Sequence, residues 1–273
     1  MDKKIAEFFK NEKIEYYSAL AYDDVFEVNS RLRERSNIDA KSVIIFLLPY
    51  YTGEAENLSR YAVSLDYHLI IKDVTARLVN LLGDIFPGCS AVGFGDHSPI
   101  DERGAALSAG LGMLGDNGLL INEKYGSYVF IADVVTDVSP ERLGTVKPIP
   151  VLRCEGCGAC KRKCPTGILN GEGTECLSAI TQKKGELSSD EAEMLVKFNT
   201  VWGCDLCQSS CPHNAKPTLT PIEFFYKSRI SKLTSEELNA MSEEDFSKRA
   251  FAWRGRKTVS RNLEYYEKTE LSK

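Results

Sequence analysis

Apolar positions change their spacing several times in the first half of the chain, and each spacing predicts a different element. Val43–Leu48 is an uninterrupted apolar run, which is typical of a strand buried on both faces. Residues 57–82 place apolar side chains at helical intervals, which predicts one long helix. Strands mixed with helices indicate a layered core of the α/β or α+β class. The further predicted elements are strands at 91–94 and 128–135 and a helix at 99–109.

The second half of the chain has a different pattern, with short apolar runs between polar and cysteine-rich stretches. Residues 138–150 contain three prolines and a glycine and predict a linker. Beyond the cysteines, Thr234 and Glu237 have the spacing of a capping box, which predicts a helix start. The expected domains are an α/β domain at 1–150, a ferredoxin-like cysteine module at 151–215 and a helical segment at 216–273.

Length and charge narrow the classes of function. At 273 residues the chain can bury one sizeable core plus a small module. Its formal net charge of −5 argues against a generally basic surface that coats nucleic acid. The longest apolar run, Val43–Leu48, is too short to span a bilayer, and Met1–Lys4 leads into an ordinary amphipathic helix rather than a signal peptide. We therefore expect a cytosolic protein with no membrane partner, in a compartment where reduced thiolates persist.

Eight of the nine cysteines lie in or between two blocks whose spacing is typical of a pair of 4Fe–4S clusters. The first block has the pattern C-x2-C-x2-C-x3-C-P, in which three thiolates hold one cluster and the fourth binds the other. By analogy with two-cluster ferredoxins, Cys211 completes the first cluster and Cys164 joins the second. The expected ligand sets are Cys154, Cys157, Cys160 and Cys211, and Cys164, Cys176, Cys204 and Cys207. Two clusters form a short path for electrons, so electron transfer is the expected chemistry.

Other uses of the cysteines fit this spacing less well. Disulfides suit a small secreted protein, which this sequence does not resemble. Zinc sites usually show two separated pairs of Cys or His, whereas the first block places four thiolates too densely for one tetrahedron. Cys89 lies outside both blocks, and we expect it to be a small buried apolar residue rather than a reactive thiol.

Asp96 follows the predicted strand at 91–94 and precedes a predicted helix, a position that allows two roles. A carboxylate at a strand end can face a ligand in an α/β fold, but Asp is also a leading helix N-cap. His68 and His97 are possible metal ligands, although an isolated histidine is more often a structural or surface residue. His213 follows the second cysteine block and is expected to pack against it.

A glycine-rich stretch at 104–118 contains the pattern G-x-G-x-x-G at Gly110, Gly112 and Gly115. This motif binds nicotinamide dinucleotides when it follows a strand and opens a helix, but here it follows a predicted helix. We expect instead that these glycines let the backbone approach a bulky cofactor or a neighbouring strand closely. Together with Asn117 they are candidate cofactor contacts.

A basic stretch at 248–261 contains no acidic residue and includes the aromatic residues Phe251 and Trp253. Runs of charge are usually solvated helix faces. Cations interleaved with aromatic rings also suit contacts with the phosphates and bases of nucleic acid. Both interpretations stay open for its cations, which are Lys248, Arg249, Arg254, Arg256, Lys257 and Arg261.

Longer stretches of the chain resemble the epoxyqueuosine reductase family, whose members use cobalamin and two 4Fe–4S clusters to complete queuosine in tRNA. The cysteine blocks alone would match many ferredoxins, whereas these stretches run through most of the sequence. Besides the first cysteine block they are SVIIFLLPYY at 42–51, SRYAVSLDYH at 59–68, DHSPIDER at 96–103, GLGMLGDNGLLI at 110–121, GSYVFIADVVTD at 126–137, GCDLCQSSCPHN at 203–214 and FAWRGRKTVSRN at 251–262.

The resemblance implies a cobalamin held by the N-terminal α/β domain beside one cluster, with the clusters delivering electrons one at a time to cobalt. Reduced cobalt would open the epoxide of a modified cyclopentane ring. In the family the Asp of a D-x-x-P motif protonates the departing oxygen, and that residue falls on Asp96 here. The implied partners are an external donor of the flavodoxin or ferredoxin type and tRNA, the latter through residues 248–261.

The chain departs from the family pattern in two places. It ends where a helical-repeat domain that helps to grip tRNA would begin, so a short form is expected. The family's Gly-Trp-x-Gly-Lys-Asn has Met113 and Asp116 in place of Trp and Lys, which exchanges attraction for repulsion toward phosphate. Two alternatives therefore stay open: a cobalamin-dependent reductase of a smaller substrate, and a two-cluster electron-transfer protein without a substrate site.

Overall fold

The computed structural model describes residues 1–30, 36 and 38–270. The chain forms two compact units, each assembled from segments that are distant in the sequence. The first unit combines 1–50, 68–156 and 220–222, and the second combines 51–67, 157–219 and 223–273. The three consecutive domains expected from the sequence remain a prediction, and these units group the chain differently.

The first unit contains a four-stranded antiparallel sheet and several helices, which confirms the expected mixture of helices and strands. In chain order its elements are α1 (Lys3–Asn11), β1 (Tyr17–Ala21), β2 (Ser42–Pro49), α2 (Tyr67–Ile85), β3 (Ala91–Phe94), α3 (Glu102–Ser108), β4 (Met113–Leu114), β5 (Leu120–Ile121), β6 (Val129–Thr136) and α4 (Pro140–Leu143). The strand order in the sheet is β1–β2–β6–β3, so the two longest strands lie in its centre. The three strands predicted from the sequence are confirmed to within one residue at each end.

The register of the sheet determines which side chains lie under α3. Ile45 and Phe94 are both paired with Asp133 of the central strand β6. Paired residues of an antiparallel ladder point to the same face, so Asp133 shares a face with apolar side chains. α3 packs on this face through Ala106 and its neighbours. A fully buried carboxyl group is thereby placed between the sheet and the helix.

Two glycines bring α2 close to the opposite face of the sheet. A Cβ atom added at Gly93 would lie 2.2 Å from the Cβ of Thr75, and one added at Gly95 would lie 2.8 Å from Cγ2 of Ile71. Both contacted residues belong to α2, so no larger side chain fits between the helix and the end of β3. This tight packing fixes the position at which the chain leaves β3 and enters the loop that carries Asp96.

The second unit is mostly helical and packs around a core that includes Trp202 and Phe251. In chain order its helices are α5 (Ala159–Lys163), α6 (Leu177–Thr181), α7 (Ser189–Lys197), α8 (Leu206–Ser209), α9 (Ser235–Ala240), α10 (Glu243–Ser247) and α11 (Arg256–Glu270). The predicted capping box at α9 is confirmed, because Glu237 N donates to the Thr234 hydroxyl and Thr234 N donates to the Glu237 carboxylate. None of the described helices of either unit combines the length and apolar character needed to cross a membrane.

The helix predicted over 57–82 is wrong in its first ten residues, since α2 begins only at Tyr67. Residues 51–67 belong to the second unit, where they run as an irregular segment. The Asn57 side chain donates to Leu233 O and accepts from Leu233 N, both at 2.8 Å. The backbone N–H of Ser59 donates to Trp202 O at 2.7 Å. These distant partners replace the hydrogen bonds of the helix, so tertiary contacts override helical spacing here.

Gly203, which precedes Cys204, is expected to resist substitution. It has a φ of +76°, and an added Cβ would lie 2.4 Å from the Cβ of Ser59. Gly203→Ala should therefore combine a backbone cost of about 1–2 kcal/mol with a packing cost of about 1–3 kcal/mol. The measurement is the free energy of unfolding in urea.

Gly185→Ala is the matched control for that prediction. Gly185 has a φ of +80°, and no atom of the described residues lies within 4 Å of its added Cβ, so only the backbone cost applies. Equal losses of stability in the two variants would show that the close approach of Ser59 to Gly203 contributes nothing.

Candidate functional site

The second unit brings most of the cluster cysteines together on short helices. α5 carries the buried Cys160 and is followed directly by Cys164, while α8 carries Cys207. α5 packs against α8, so the two cysteine blocks are neighbours although about forty residues of sequence separate them. Such a pairing of blocks is the arrangement that a two-cluster module requires.

Cys176, Cys204 and Cys207 lie close enough for their charges to interact. Burial raises the pKa of the Cys204 thiol to about 12, and the negative charges of Cys176 and Cys207 raise it further. Thiolates that repel one another in a buried place require cations between them, and the irons of a cluster supply such charge. Three of the four ligands predicted for the second cluster are thus brought together by the fold.

Backbone N–H groups point at two other cysteine sulfurs. Burial alone would raise the pKa of the Cys164 thiol, but hydrogen bonds from the backbone around Thr166 and Leu169 lower it overall. In the first unit, Asp116 N lies 3.3 Å from Cys154 Sγ and donates to it. Donors of this kind stabilise a thiolate, which is the form that binds iron.

No three His, Cys, Asp or Glu side chains within the described part of the chain converge tightly enough to hold a single metal ion. Each thiolate of a cubane binds a different iron, so the ligands of a cluster lie farther apart than those of one ion. Cys89, outside both blocks, is half-buried, and burial raises the pKa of its thiol.

Asp96 lies in the loop between β3 and α3 and has an unusual backbone conformation. Its φ of +64° falls in the left-handed region, which non-glycine residues adopt at a cost. Its backbone N–H donates to Glu102 Oε1 at 3.0 Å, and its Oδ2 lies 3.6 Å from Nε2 of His68. The N-cap of α3 is Asp101, whose Oδ1 accepts from Gly104 N at 3.0 Å. The capping role considered for Asp96 is therefore wrong, and its carboxyl group is 47% exposed.

The Asp96 loop borders an open cavity of about 490 Å³ in the first unit. His97, Ser98 and Asn29 contribute polar groups to its wall, and Glu102 and Arg103 line the side formed by α3. Strained backbone beside a concave polar surface is a frequent feature of functional sites. The carboxyl group predicted to be chemically active thus faces a space that can take a ligand.

Glu102 and Asp133 form a coupled acid pair behind Asp96. Burial raises the pKa of Glu102 to about 8, and repulsion from Asp133 and Asp96 contributes in the same direction, against the Asp96 backbone N–H. Burial also raises the pKa of Asp133, to about 7, although Ser98 and Glu102 oppose this shift. Asp133 is fully buried, and by strict geometry its carboxyl oxygens have no hydrogen-bond donor among the described residues.

Neither member of this pair was singled out from the sequence. A signal was present for Asp133, because it interrupts the apolar strand β6 and a charged residue is rarely buried without a functional or structural partner. Glu102 carried no comparable signal, since an acidic residue in the first turn of a helix is ordinary. Only the register of the sheet against α3 brings the two together.

The glycine-rich stretch forms a small hairpin of β4 and β5 rather than the strand–turn–helix of a dinucleotide site. A Cβ added at Gly112 would lie 2.6 Å from Ile121 O, and one added at Gly115 would lie 2.5 Å from Asn117 Oδ1. The chain's own atoms therefore fill the space beside these two glycines. An added Cβ at Gly110 would lie 3.3 Å from Cδ1 of Ile149, which is its only close neighbour among the residues described.

The basic stretch at 248–261 is partly structural. Arg249 donates to the backbone oxygens of Ser64 and Ser228, and Arg261 donates to those of Lys183 and Gly185. Arg256 likewise donates to the backbone oxygens of Leu238 and Met241.

Trp253 gives the same stretch an exposed aromatic surface. Its side chain is 60% exposed, and the guanidinium of Arg254 lies 3.9 Å from the ring centroid. Lys257 is also exposed. Together with Lys248, whose side chain is 43% exposed beside Glu244, these three residues are the part of the stretch that a polyanion could reach.

Comparisons with known proteins agree with this arrangement. A family model described as a 4Fe–4S double cluster binding domain matches residues 153–214. The epoxyqueuosine reductase of Leadbetterella byssophila is 33% identical over 244 residues, which cover 85% of this chain and 78% of that protein. The crystal structure of an epoxyqueuosine reductase with an epoxyqueuosine-modified tRNA-Tyr stem loop has a similar fold, with a TM-score of 0.78, 22% identity, and coverage of 97% of this chain and 80% of that one. The structure of epoxyqueuosine reductase from Bacillus subtilis, in a form whose catalytic aspartate loop is swung out of the active site, is also similar. Its TM-score is 0.77 and its sequence identity 22%, with coverage of 97% of this chain and 80% of that one.

Proposed function

The chain belongs to the epoxyqueuosine reductase family, and we propose that it reduces epoxyqueuosine to queuosine in tRNA with electrons that pass through two 4Fe–4S clusters. The observation that carries the proposal is the match to a named reductase over most of both chains, together with a double-cluster module in which three cysteine thiols already interact. Members of this family are oxidoreductases, so the activity class follows from membership.

Reduction of an epoxide consumes two electrons and two protons, whether the oxygen leaves as water or remains as a hydroxyl. The clusters account for the electrons, because each passes one at a time. We assign the first proton to Asp96, whose carboxyl group faces the open cavity and which matches the D-x-x-P motif. In this role the Asp96 O–H bond breaks as the O–H bond on the departing oxygen forms.

Each cluster is assigned four thiolates that follow the spacing of the two blocks. The grouping of Cys176, Cys204 and Cys207 supports the second set, to which Cys164 is added by the ferredoxin pattern. For the first set, the match of the double-cluster model to residues 153–214 supports the inclusion of Cys154, Cys157 and Cys160 with Cys211. An external one-electron carrier would recharge the clusters.

Cobalamin is the second cofactor of the proposal. When bound, it supplies a low-valent metal centre that reduces the epoxide carbon. Four residues of the glycine-rich stretch are candidate cobalamin contacts. Atoms of the chain itself occupy the space beside Gly112 and Gly115, so Gly110 and Asn117 remain as the proposed contacts. The open cavity and the exposed carboxyl of Asp96 fit the neighbouring task of receiving the substrate and donating a proton.

One experiment tests both cofactors and the reaction. The clusters are reconstituted anaerobically, cobalamin is added, the excess is removed, and optical and EPR spectra are recorded. The loaded protein is then reduced and incubated with tRNA that carries epoxyqueuosine, and the nucleosides are quantified by mass spectrometry. Queuosine formation supports the proposal, whereas bound corrinoid without conversion would favour a cobalamin-dependent reductase of a smaller substrate. Clusters without corrinoid would leave an electron-transfer protein.

The exposed part of the basic stretch is the proposed tRNA contact. Alanine substitution is enough to test it, because the side chains of Arg254 and Lys257 donate no hydrogen bond to the backbone within the described structure. We expect the double variant to bind the tRNA stem loop about tenfold more weakly and to lose about one unit of salt dependence for each phosphate contact removed. Fluorescence anisotropy at several salt concentrations measures both quantities.

The control for this prediction is Lys10→Ala, which removes an exposed lysine of α1 outside the stretch. Its affinity and its salt dependence should match those of the unaltered protein. An unchanged salt dependence in the Arg254 and Lys257 double variant would exclude this surface as the tRNA contact.

A further inference from the structure

The buried carboxyl group of Asp133 has few partners that could stabilise a negative charge. Asp133 has no exposed surface, and neither of its oxygens has a hydrogen-bond donor of good geometry in the described structure. An ionised carboxylate without donors in such a place is costly. The Ser98 hydroxyl and the carboxyl of Glu102 are close enough to lower the pKa of Asp133 by hydrogen bonding, although neither reaches good hydrogen-bond geometry.

Two adjoining carboxyl groups provide the missing donor when they share one proton. The shared proton turns a repulsive contact between two anions into an O–H···O⁻ hydrogen bond, which is stronger than a bond between neutral groups. Within the part of the chain that the structure describes, no cationic side chain takes over this task. Arg103 of the same helix donates to Gly118 O, and His68 lies against Asp96.

Glu102 also connects the buried pair to the cavity. Its Oε1 accepts the backbone N–H of Asp96 at 3.0 Å, and its side chain lines the same cavity as Asp96. The charge of Asp96 also raises the pKa of Glu102, as expected of two nearby carboxyl groups. The remaining acid of this helix entry, Asp101, is engaged in capping α3. Glu102 thus lies between the fully buried Asp133 and the open cavity.

The stoichiometry of the reaction requires a second proton. Asp96 can give one proton to the epoxide oxygen and is then an anion. A substrate that fills the cavity separates Asp96 from bulk water on that side, so the next proton must come from the protein side. Two side chains that can carry a proton contact Asp96 on that side: Glu102, which accepts the Asp96 N–H, and His68, whose Nε2 lies 3.6 Å from Asp96 Oδ2. Of the two, Glu102 is the one that adjoins a buried acid.

We propose that Glu102 and Asp133 hold one proton between them at neutral pH, and that Glu102 returns this proton to Asp96 after Asp96 has protonated the departing oxygen. In that step the O–H bond of the pair breaks and an O–H bond on Asp96 forms, so the pair changes from one negative charge to two while Asp96 becomes neutral. No electrons move. The inference rests on the proposed function for its consequence in turnover, but the shared proton itself does not depend on the substrate.

Two isosteric variants separate proton storage from mere support of the loop. Glu102→Gln keeps an oxygen that can accept the Asp96 N–H but cannot donate a stored proton. We expect it to lower queuosine formation about 10²-fold in reconstituted protein. Asp133→Asn leaves Glu102 able to titrate but removes the neighbouring charge. It should retain turnover at acidic pH and move the alkaline limb of the pH–rate profile to lower pH, because the pKa of Glu102 falls when Asp133 no longer repels its anion.

Outcomes of these assays divide cleanly. Near-normal turnover and an unchanged pH profile in Glu102→Gln would overturn the proposal, because that variant preserves the hydrogen bond to the loop. An alkaline limb that stays in place in Asp133→Asn would also overturn it, since a purely structural role does not predict a shift of the limb.

A second measurement needs no turnover and therefore survives failure of the proposed function. Infrared difference spectra of the purified protein, titrated from pH 5 to pH 9, should contain a protonated-carboxyl band that disappears toward about pH 8. In Glu102→Gln the band should no longer persist toward about pH 8, because only Asp133, whose pKa burial raises to about 7, remains to titrate. In Asp133→Asn the band should move to lower pH. Absence of any carboxyl that titrates in this range would sink the inference even if epoxyqueuosine is reduced. If the band is present but epoxyqueuosine is not reduced, the shared proton would be supported and the proposed substrate would be wrong.

Discussion

Asparagine in place of Asp96 is expected to lower the rate of queuosine formation by about 10²–10⁴-fold, the usual contribution of a general acid. The amide cannot give a proton to the departing oxygen. It does fit the local backbone, because Asn is among the residues that best tolerate the left-handed conformation seen at φ +64°. The variant therefore removes the acid without adding strain. The measurement is the single-turnover rate of fully loaded, reduced protein with epoxyqueuosine-containing tRNA.

The same change of charge at a remote position is the control. Asp84→Asn alters an exposed residue of α2 and should leave the rate near that of the unaltered protein. Iron content and corrinoid content should be equal in all three proteins. If the rate of Asp96→Asn stays within a factor of two of the unaltered protein, Asp96 is not the general acid. Glu102, which lines the same cavity, would then be the next candidate for that role.

The sequence correctly predicts those structural features that depend only on residues close together in the chain. The uninterrupted apolar run at β2 predicts a strand buried on both faces of the sheet, and all of its side chains are buried in the structure. The capping box of α9 needs only the side chains of Thr234 and Glu237 and the first turn of the helix. The cysteine blocks are equally local, since short loops around a cluster fix the spacing of their ligands.

Features that depend on distant contacts were not accessible in this way. The spacing of residues 57–66 is helical, but Asn57 and Ser59 form hydrogen bonds with residues more than 140 positions away. The G-x-G-x-x-G pattern matches a dinucleotide motif, but in the structure Gly112 lies so close to Ile121 O that no side chain would fit there. A six-residue pattern does not report which strand will lie beside it.

The acid pair illustrates the same limit within the candidate site. Asp96 was found through its motif, which is a short contiguous string. The pairing of Glu102 with Asp133 depends on the register of β6 against β3 and on the seating of α3, and both depend on contacts between elements. A shared proton is therefore a property of the folded sheet and helix, and no window of sequence contains it.

Removal of a single cluster thiolate is expected to abolish turnover, because electrons must cross both clusters to reach the substrate. Cys207→Ser replaces a ligand on α8 by a hydroxyl of similar size that binds iron poorly. The iron content should fall from about eight to about four per chain, with one 4Fe–4S signal lost from the EPR spectrum of the reduced protein. Cys89→Ser is the control, since the half-buried Cys89 lies outside both blocks and should affect neither iron nor turnover.

The same measurement tests how the ligands are divided. If the last thiolate of each block binds the other block's cluster, Cys164→Ser and Cys207→Ser should lose the same EPR signal, and Cys157→Ser and Cys211→Ser should lose the other. If each block instead supplied its own cluster, Cys164→Ser would match Cys157→Ser. The packing of α5, which Cys164 follows directly, against α8, which carries Cys207, is compatible with the crossed division. If Cys164→Ser and Cys157→Ser lose the same signal, the proposed ligand sets are wrong. The conclusion that the protein binds two clusters would still hold.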